Sequence, residues 1–498
     1  MDFAITLDQR SRTPLHKQLY EELRQAILCG RLNPGERVPS TRSLAQSLKV
    51  SRTTVTQSYE QLLSEGYLRA TTGSGTYVGC QLPDELLKSH PVERPRSAGH
   101  SSRANHSPLE NLSRYGASIT DLAPFEPYEP DMPINFKNGR PALEEFPLRQ
   151  WRRLTLRHYR ANAPRLLDYA DGSQGHEPLR EAIAAYLRRS RAVACSADQV
   201  IIVNGSQQAL DLIAKTLIDP GDRVVIENPG YLGARRSFLA HGAELAPVPV
   251  DESGALVDWL NSKTFLNSKG RLKLAYVTPS HQFPTGVTMA LPRRLDLLAW
   301  AEKMGVLIVE DDYDSEFRYG SRPIPALQGL SNKDSVIYAG TFSKVLFPAL
   351  RVGYLVTPPA LARIFARAKW LADRQTPMVE QLVLTDFINE GHLERHLRRM
   401  RTLYDKRRQS LARALETHFG DRATILGENA GMHLMIRLRG RLGDDEVERR
   451  ARLAGVGMVS ARSYYLGEGR RDEFVLGYAG VSERRIQEGV RRLAKILK

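Results

Sequence analysis

At 498 residues and a formal net charge of +15, the chain is too long for one small module and long enough to bury more than one core, so a multidomain protein is expected. It holds no apolar run of about eighteen residues, and its start, MDFAITLDQRSRTPL, lacks the basic, apolar, then small-residue order of a secretory signal; a cytoplasmic protein with no membrane partner is expected. Its three cysteines, Cys29, Cys80 and Cys195, lie far apart and without metal-ligand spacing, so neither a disulfide framework nor a metal site is expected.

The first zone, residues 8–79, has a compact pattern. Leu15, Leu19, Leu23 and Ile27 recur every four residues, one apolar stripe on a helix that Gly30 can end. Pro34-Gly35 makes a turn. Ser40 is placed to cap a short helix carrying Leu44 and Leu48, and Ser51 a third helix carrying Val55, Tyr59 and Leu62. That third helix opens on SRTTV, which puts Arg52, Thr53 and Thr54 in an exposed first turn, where a recognition helix meets base edges and phosphates. Gly66 stops it, and YLRATTGSGTYV alternates around Gly73-Ser74-Gly75 as a hairpin able to serve as a wing.

Residues 80–131 differ in texture. Prolines from Pro83 to Pro130 stand among Ser, Arg, His and Glu with no sustained helix or strand period, which predicts a flexible linker. Charge does not choose a nucleic-acid surface: Lys and Arg against Asp and Glu number 10 to 7 in residues 1–80, 5 to 8 in 81–131 and 56 to 41 beyond.

Over residues 132–498, the runs QVIIV, DRVVIE, LKLAYVT and GVLIVED alternate with helical stretches, the pattern of a mostly parallel sheet with crossover helices in an α/β domain. Several strand ends carry chemistry. VIYAGTFSKVLFPALRVGYLV sets Lys344 after an apolar strand, with Ser343 beside it and Arg351 seven residues on; an amine can meet an aldehyde there, and two donors a phosphate. GVLIVEDDYDSEF ends on Glu310, Asp311 and Asp312, a costly like-charge cluster unless a cation or water relieves it. A protonated pyridine would relieve Asp311, and Tyr313 can hydrogen-bond a phenolic oxygen beside it. QVIIVNGSQQAL reads as a strand, a glycine turn and a helix whose first-turn amides at Ser206 and Gln207 suit an anion. In ENPGYLG, Tyr231 follows a Pro-Gly turn where a ring can stack on a flat group. These are the parts of a pyridoxal 5'-phosphate site. Each has a plain alternative: a solvated lysine, a solvated acidic loop, ordinary helix caps, a surface or core tyrosine.

The run GRLNPGERVPSTRSLAQSLKVSRTTVTQSYEQLLSEGYLRATTGSGTYV resembles the GntR family of winged helix-turn-helix repressors over almost its full length. That resemblance implies that Arg42, Arg52, Thr53, Thr54 and Gly75 face DNA, with Arg42 and Arg52 nearest phosphates or guanine. The segments around Ser206, Tyr231, Asp311 and Lys344, in this order, resemble fold-type I aminotransferases from about residue 133 to the C-terminus. As a whole the chain is similar to the MocR subfamily of GntR regulators. The implied fold class is a mainly α winged helix-turn-helix with a β wing, then an α/β aminotransferase-like domain with a mostly parallel central sheet. The implied partners are a double-stranded DNA operator, a second copy in a head-to-tail homodimer, and a small effector: an amine, an amino acid or the cofactor itself, sensed at Lys344.

Two positions depart from the aminotransferase pattern. The usual Asn-Pro-Thr-Gly turn reads SHQFPTG, with Phe283 at the Asn position; His281 and Gln282 are candidate substitutes, Gln282 otherwise being a solvent-facing loop residue. The C-terminal strand usually reads Arg-Leu-Ser-Phe-Ala, its Arg gripping the substrate carboxylate, but here FVLGYAG puts Val475 there. A bidentate clamp is lost, and Arg462, Arg470 and Arg471 are either replacements or surface charges. The expectation is a cofactor held at Lys344 with turnover of an ordinary amino acid absent or slow. A working aminotransferase with a tethered head and a DNA binder whose body only dimerises are the competing functions. The lysine-aspartate-arginine set argues against a mere scaffold and Val475 against the enzyme.

Overall fold

The computed structural model describes residues 5–71, 73–80, 82, 108–120, 122, 132–166, 168–169, 172–266, 269–320, 324–331 and 333–497, with 161–166 described by backbone alone. They fall into two units, Met1–Asn105 and His106–Lys498.

The smaller unit contains α1 (Leu15–Leu28), α2 (Thr41–Leu48), α3 (Arg52–Ser64), β1 (Leu68–Thr71) and β2 (Gly75–Val78). The four-residue spacing works as predicted: Leu19, Leu23 and Ile27 of α1 are buried in one cluster with Leu44, Val55, Tyr59 and Leu62, each such side chain contributing about 1.5–3 kcal/mol of transfer free energy. Ser40 Oγ accepts from the Ser43 amide at 3.2 Å and Ser51 Oγ from the Thr54 amide at 3.1 Å, caps that stabilise their helices by about 1 kcal/mol each. β1 and β2 pair antiparallel, and Arg37 bridges Tyr77 on the far side of β2.

In the larger unit, α4 (Arg114–Thr120), β3 (Ile134–Asn135), α5 (Leu148–Leu166) and α6 (Glu177–Arg191) precede an eight-stranded sheet. Its order is β4 (Val200–Val203), β11 (Gly353–Val356), β10 (Val336–Thr341), β9 (Leu307–Asp312), β8 (Leu272–Val277), β5 (Arg223–Asn228), β6 (Glu244–Asp251) and β7 (Gly254–Ala255). From β10 to β6 all neighbours are parallel; β11 runs against both of its neighbours and β7 against β6. The predicted apolar runs are β4, β5, β8 and β9. Both faces of these strands are covered: those of β5, β8 and β9 by one cluster with Leu210, Ile213 and Phe238 and another with Leu297, Trp300 and Ala301, and those of β4 by the first of these and a third cluster with Leu179 and Ile183, which is why they read as continuous and not alternating. The crossovers α7 (Ser206–Leu217) and α8 (Leu232–Ala240) follow β4 and β5. A second, antiparallel sheet has the order β12 (Ala423–Leu426), β13 (His433–Leu438), β16 (Glu473–Gly477) and β15 (Val459–Ser460), and β14 (Val456–Gly457) pairs with β3. The parallel strands send their C-terminal ends to one side of the large sheet, where such sheets bind ligands.

Most of the predicted linker 80–131 lies outside the described residues. Within it, α4 packs on the larger unit: Ser118 Oγ donates to the Ala240 carbonyl at 2.7 Å and the Tyr115 ring lies 4.9 Å from that of His241. Proline-rich flanks hid this helix, whose own sequence, RYGASIT, has no proline. Among the described residues no helix is long and apolar enough to cross a membrane.

Candidate functional site

At the C-terminal ends of the parallel strands lies a cavity of about 790 Å³. Six of the eight predicted cofactor residues, Ser206, Gln207, Tyr231, Asp311, Tyr313 and Lys344, line it, and Ser343 and Arg351 are set back from its lining. Lys344 lies just past β10, and its Nζ donates to the Gly139 carbonyl at 3.1 Å. Burial lowers its pKa, against the pull of the Asp314 and Asp311 carboxylates and with a further push from Arg351. Gly139 has φ +72°, and a Cβ there would overlap the lysine amine; only glycine combines that backbone with that approach.

The three adjacent acids are resolved differently, and burial makes each solution visible. Glu310 accepts from the backbone amides of Leu327 and Gln328, both at 3.0 Å. Asp312 pairs with Arg191 at 2.9 Å and also accepts from Ser315 and Tyr338. Asp311 has a single donor, the Tyr276 hydroxyl at 2.7 Å, and its Oδ1 is buried with no partner. Burial pushes its pKa up to about 6, although the Tyr276 bond opposes the shift. Of the three, only Asp311 lines the cavity.

At the other end, Gly205, with φ +84°, turns β4 into α7, and a Cβ on it would lie 2.9 Å from Arg351 Nη2. Arg351 donates to the Asn204 carbonyl at 2.7 Å, so a guanidinium sits beside the first-turn amides of Ser206 and Gln207, a site suited to an anion. Gln207 contributes backbone only, because its side chain donates to Ser237 Oγ at 2.7 Å. The Ser343 hydroxyl is buried without a partner. Tyr231 packs edge-on against Phe283 at 5.7 Å, and burial pushes its pKa up to about 12. The Tyr313 hydroxyl lies 3.0 Å from His281 Nδ1.

Several lining residues carried no local signal in the sequence: Asn138, Tyr276, Asp314, His433 and Arg236. Asn138 lies on the loop after β3, Arg236 on α8 and Asp314 just past β9, while Tyr276 and His433 stand on strands of two different sheets. His281, Asp314 and His433 bring possible metal ligands within 4.8 Å of one another. Their atoms are largely committed: His281 Nδ1 lies 3.0 Å from both Asp314 oxygens, and His433 Nε2 meets the Pro284 carbonyl at 3.0 Å. Burial, with His281 alongside, holds His433 well below the usual histidine range.

Of the two readings of Gln282, substitute for the Asn or solvent-facing loop residue, the second does not hold. Gln282 is buried, its Nε2 donates to the carbonyls of Pro229 at 2.8 Å and Phe283 at 2.7 Å, and its Oε1 accepts from the Thr285 amide at 3.1 Å. Carbonyls cut off from water need donors, so Gln282 builds the turn and does not replace the missing Asn. Phe283 lines the cavity. Val475 is fully buried with Met435 and Ala461. Arg462 reaches Asp444 at 3.9 Å and Arg470 reaches Asp472 at 3.2 Å; neither they nor Arg471 line the cavity, whereas Arg236 of α8 does.

In the smaller unit Arg42, Arg52 and Thr53 are exposed as predicted, Arg52 Nε lying 3.4 Å from Thr41 Oγ1. Thr54 departs from the reading: it is half-buried and its hydroxyl lies 2.8 Å from Ser51 Oγ, inside the cap. Gly75 opens β2 against the Arg37 side chain, a basic residue the sequence reading passed over.

Residues 15–78 match the family described as bacterial regulatory proteins, gntR family, and residues 132–493 match aminotransferase class I and II. The chain is 40% identical over 490 residues to the probable rhizopine catabolism regulatory protein MocR of Rhizobium meliloti, covering 98% of this chain and 95% of that protein. It is 34% identical over 500 residues to the uncharacterized HTH-type transcriptional regulator YhdI of Bacillus subtilis, covering 99% and 98%. Among solved structures it is similar to Pyrococcus horikoshii kynurenine aminotransferase in complex with PMP, with a TM-score of 0.70 and 31% identity over 74% of this chain and 91% of that one.

Proposed function

The chain belongs to the MocR group of GntR-family transcription regulators, a helix-turn-helix head joined to a class I and II aminotransferase body, and on that premise we propose that Lys344 holds pyridoxal 5'-phosphate as a sensor. The head binds an operator, the protein acts as a head-to-tail homodimer, and the effector is a small amine, an amino acid or the cofactor itself. One observation carries the reading: of Glu310, Asp311 and Asp312 only Asp311 lines the cavity, and its Oδ1 is buried without a partner, whereas Asp312, which also has one bare oxygen, is already paired with Arg191. A protonated ring nitrogen would match that bare Asp311 oxygen in charge and in hydrogen bonding.

Bound there, the cofactor supplies an aldehyde for primary amines and an electron-withdrawing ring. The chain does the rest. Lys344, its pKa lowered, keeps a neutral fraction able to attack a carbonyl. Asp311 would hold the proton on the ring nitrogen and Tyr313 would donate to the phenolic oxygen; Ser343, Arg351 and the α7 amides would take the phosphate, and Tyr231 would face the ring. With Phe283 and Val475 in place of an Asn and an Arg, the usual bidentate grip on an amino-acid carboxylate is missing, so turnover of a common amino acid is absent or slow. An active aminotransferase is the second reading, favoured by the likeness to the kynurenine enzyme; steady conversion of a common amino acid and keto acid pair would establish it.

Lys344→Ala is expected to abolish the visible absorbance of the cofactor-loaded protein, and an unchanged spectrum would overturn the assignment. Arg52→Ala is expected to weaken binding to an operator from the protein's own upstream region by about tenfold or more, the scale of one lost base or phosphate contact, with the cofactor spectrum unaltered. Equal operator affinity would refute the role given to α3.

A further inference from the structure

Lys344 and Asp311 line the cavity together with three apolar side chains, Tyr115, Ile119 and Leu122, which come from α4 and the residue two beyond it. In the chain these residues lie between the head and the aminotransferase body. They are tethered to the body at two points, Ser118 on the Ala240 carbonyl and Tyr115 on His241. His241 is itself fixed by Asp211, its Nε2 3.0 Å from Oδ1, and Asp211 also lines the cavity.

Building on the amine-sensor reading, we propose that this segment is the effector-specificity wall: an amine whose nitrogen sits at Lys344 lays an apolar or aromatic tail on Tyr115 and Ile119. Those side chains are still 45% and 44% exposed, so a tail against them removes apolar surface from water on both sides, which is the driving force for such a contact. With the carboxylate clamp at Val475 lost, apolar contact with this wall is one means by which the cavity tells one amine from another. Because the wall belongs to the segment that leads from the head, an effector that covers it also orders that segment. A cofactor or amine too short to reach the wall does neither.

The test uses the full-length, cofactor-loaded protein and two probes, methylamine and 2-phenylethylamine, titrated by calorimetry, with hydrogen exchange read over residues 112–122. Tyr115→Ala is expected to weaken 2-phenylethylamine about tenfold while the methylamine constant changes less than about twofold. Ile119→Ala should act in the same direction, and Tyr115→Phe, which keeps the ring, should restore the wild-type preference. Exchange in the segment should slow with 2-phenylethylamine and not with methylamine. If Tyr115→Ala treats the two amines alike, or exchange is the same with both, the wall assignment falls while the sensor reading stands. If the loaded wild-type protein takes neither amine, the amine-sensor reading fails and the wall goes with it.

Discussion

Asp311→Asn is expected to weaken pyridoxal phosphate binding by about 10²- to 10³-fold, the effect of removing one partner of a buried charge pair. The size follows from isolation. Asp311 receives one hydrogen bond from protein, from Tyr276, and has a second oxygen with none, so on the proposed reading a protonated ring would be the hydrogen-bonded cation it lacks. The same isolation makes binding pH-dependent. With its pKa pushed up to about 6 by burial, Asp311 takes up a proton below that pH and then offers no charge to a protonated ring. Wild-type affinity should therefore be level above about pH 6 and fall roughly tenfold per pH unit below it. The Asn variant lacks this component, so the difference between the two proteins separates Asp311 from the ligand's own titration. Fluorescence titration between pH 5 and pH 8 measures both curves; parallel curves would show that Asp311 is not the group that holds the ring.

The parts of this site visible in the sequence are those written in one local segment. Lys344 with Ser343, the acids after β9, and the glycine turn into α7 each combine a buried strand with an abrupt polar end, and the strand's period finds them. Arg351 was placed near phosphate chemistry by spacing from Lys344, and the structure sets it under Gly205 through the antiparallel pairing of β11 with β4. The smaller unit was legible almost element by element because its helices announce themselves by caps and a four-residue stripe.

What escaped was long-range. Tyr276 meets Asp311 because β8 and β9 are parallel neighbours, and nothing around Tyr276 marks it as different from a core tyrosine. His433 reaches Phe283, with ring centroids 5.5 Å apart, from 150 residues away in the chain. Gln282 looked like a loop residue, since the need it serves, buried carbonyls in a turn, appears only once the turn is folded. Thr54 looked exposed because the helical period says nothing of a hydroxyl recruited by its own cap. The prolines that flank α4 outweigh its own short pattern, and so they hide a helix that, with Leu122 beyond it, touches the cavity.

Arg191→Leu is expected to destabilise the larger unit by about 3–5 kcal/mol, the usual cost of orphaning a buried charge. Arg191 ends α6, is buried, and binds Asp312 at 2.9 Å while its Nη1 donates to the Ile324 carbonyl at 2.8 Å. Burial alone would push Asp312 up, but Arg191, with Ser315 and Tyr338, outweighs it and leaves the carboxyl below its ordinary range. The pair therefore stabilises at neutral pH and loses its contribution as acid protonates Asp312, so the gap between wild type and variant should narrow at low pH. The effect reaches the site because Asp312 stands between Asp311 and Tyr313 on the same short segment, and a carboxylate left without its cation will seek water and draw that segment with it. Urea unfolding should show the loss, and cofactor affinity should fall alongside it. Arg191→Leu combined with Asp312→Asn should recover much of the stability, because the expensive species is the unpaired charge and not the missing bond. If the double variant is as unstable as the single one, Arg191 acts through packing and its link to the cofactor acid is refuted.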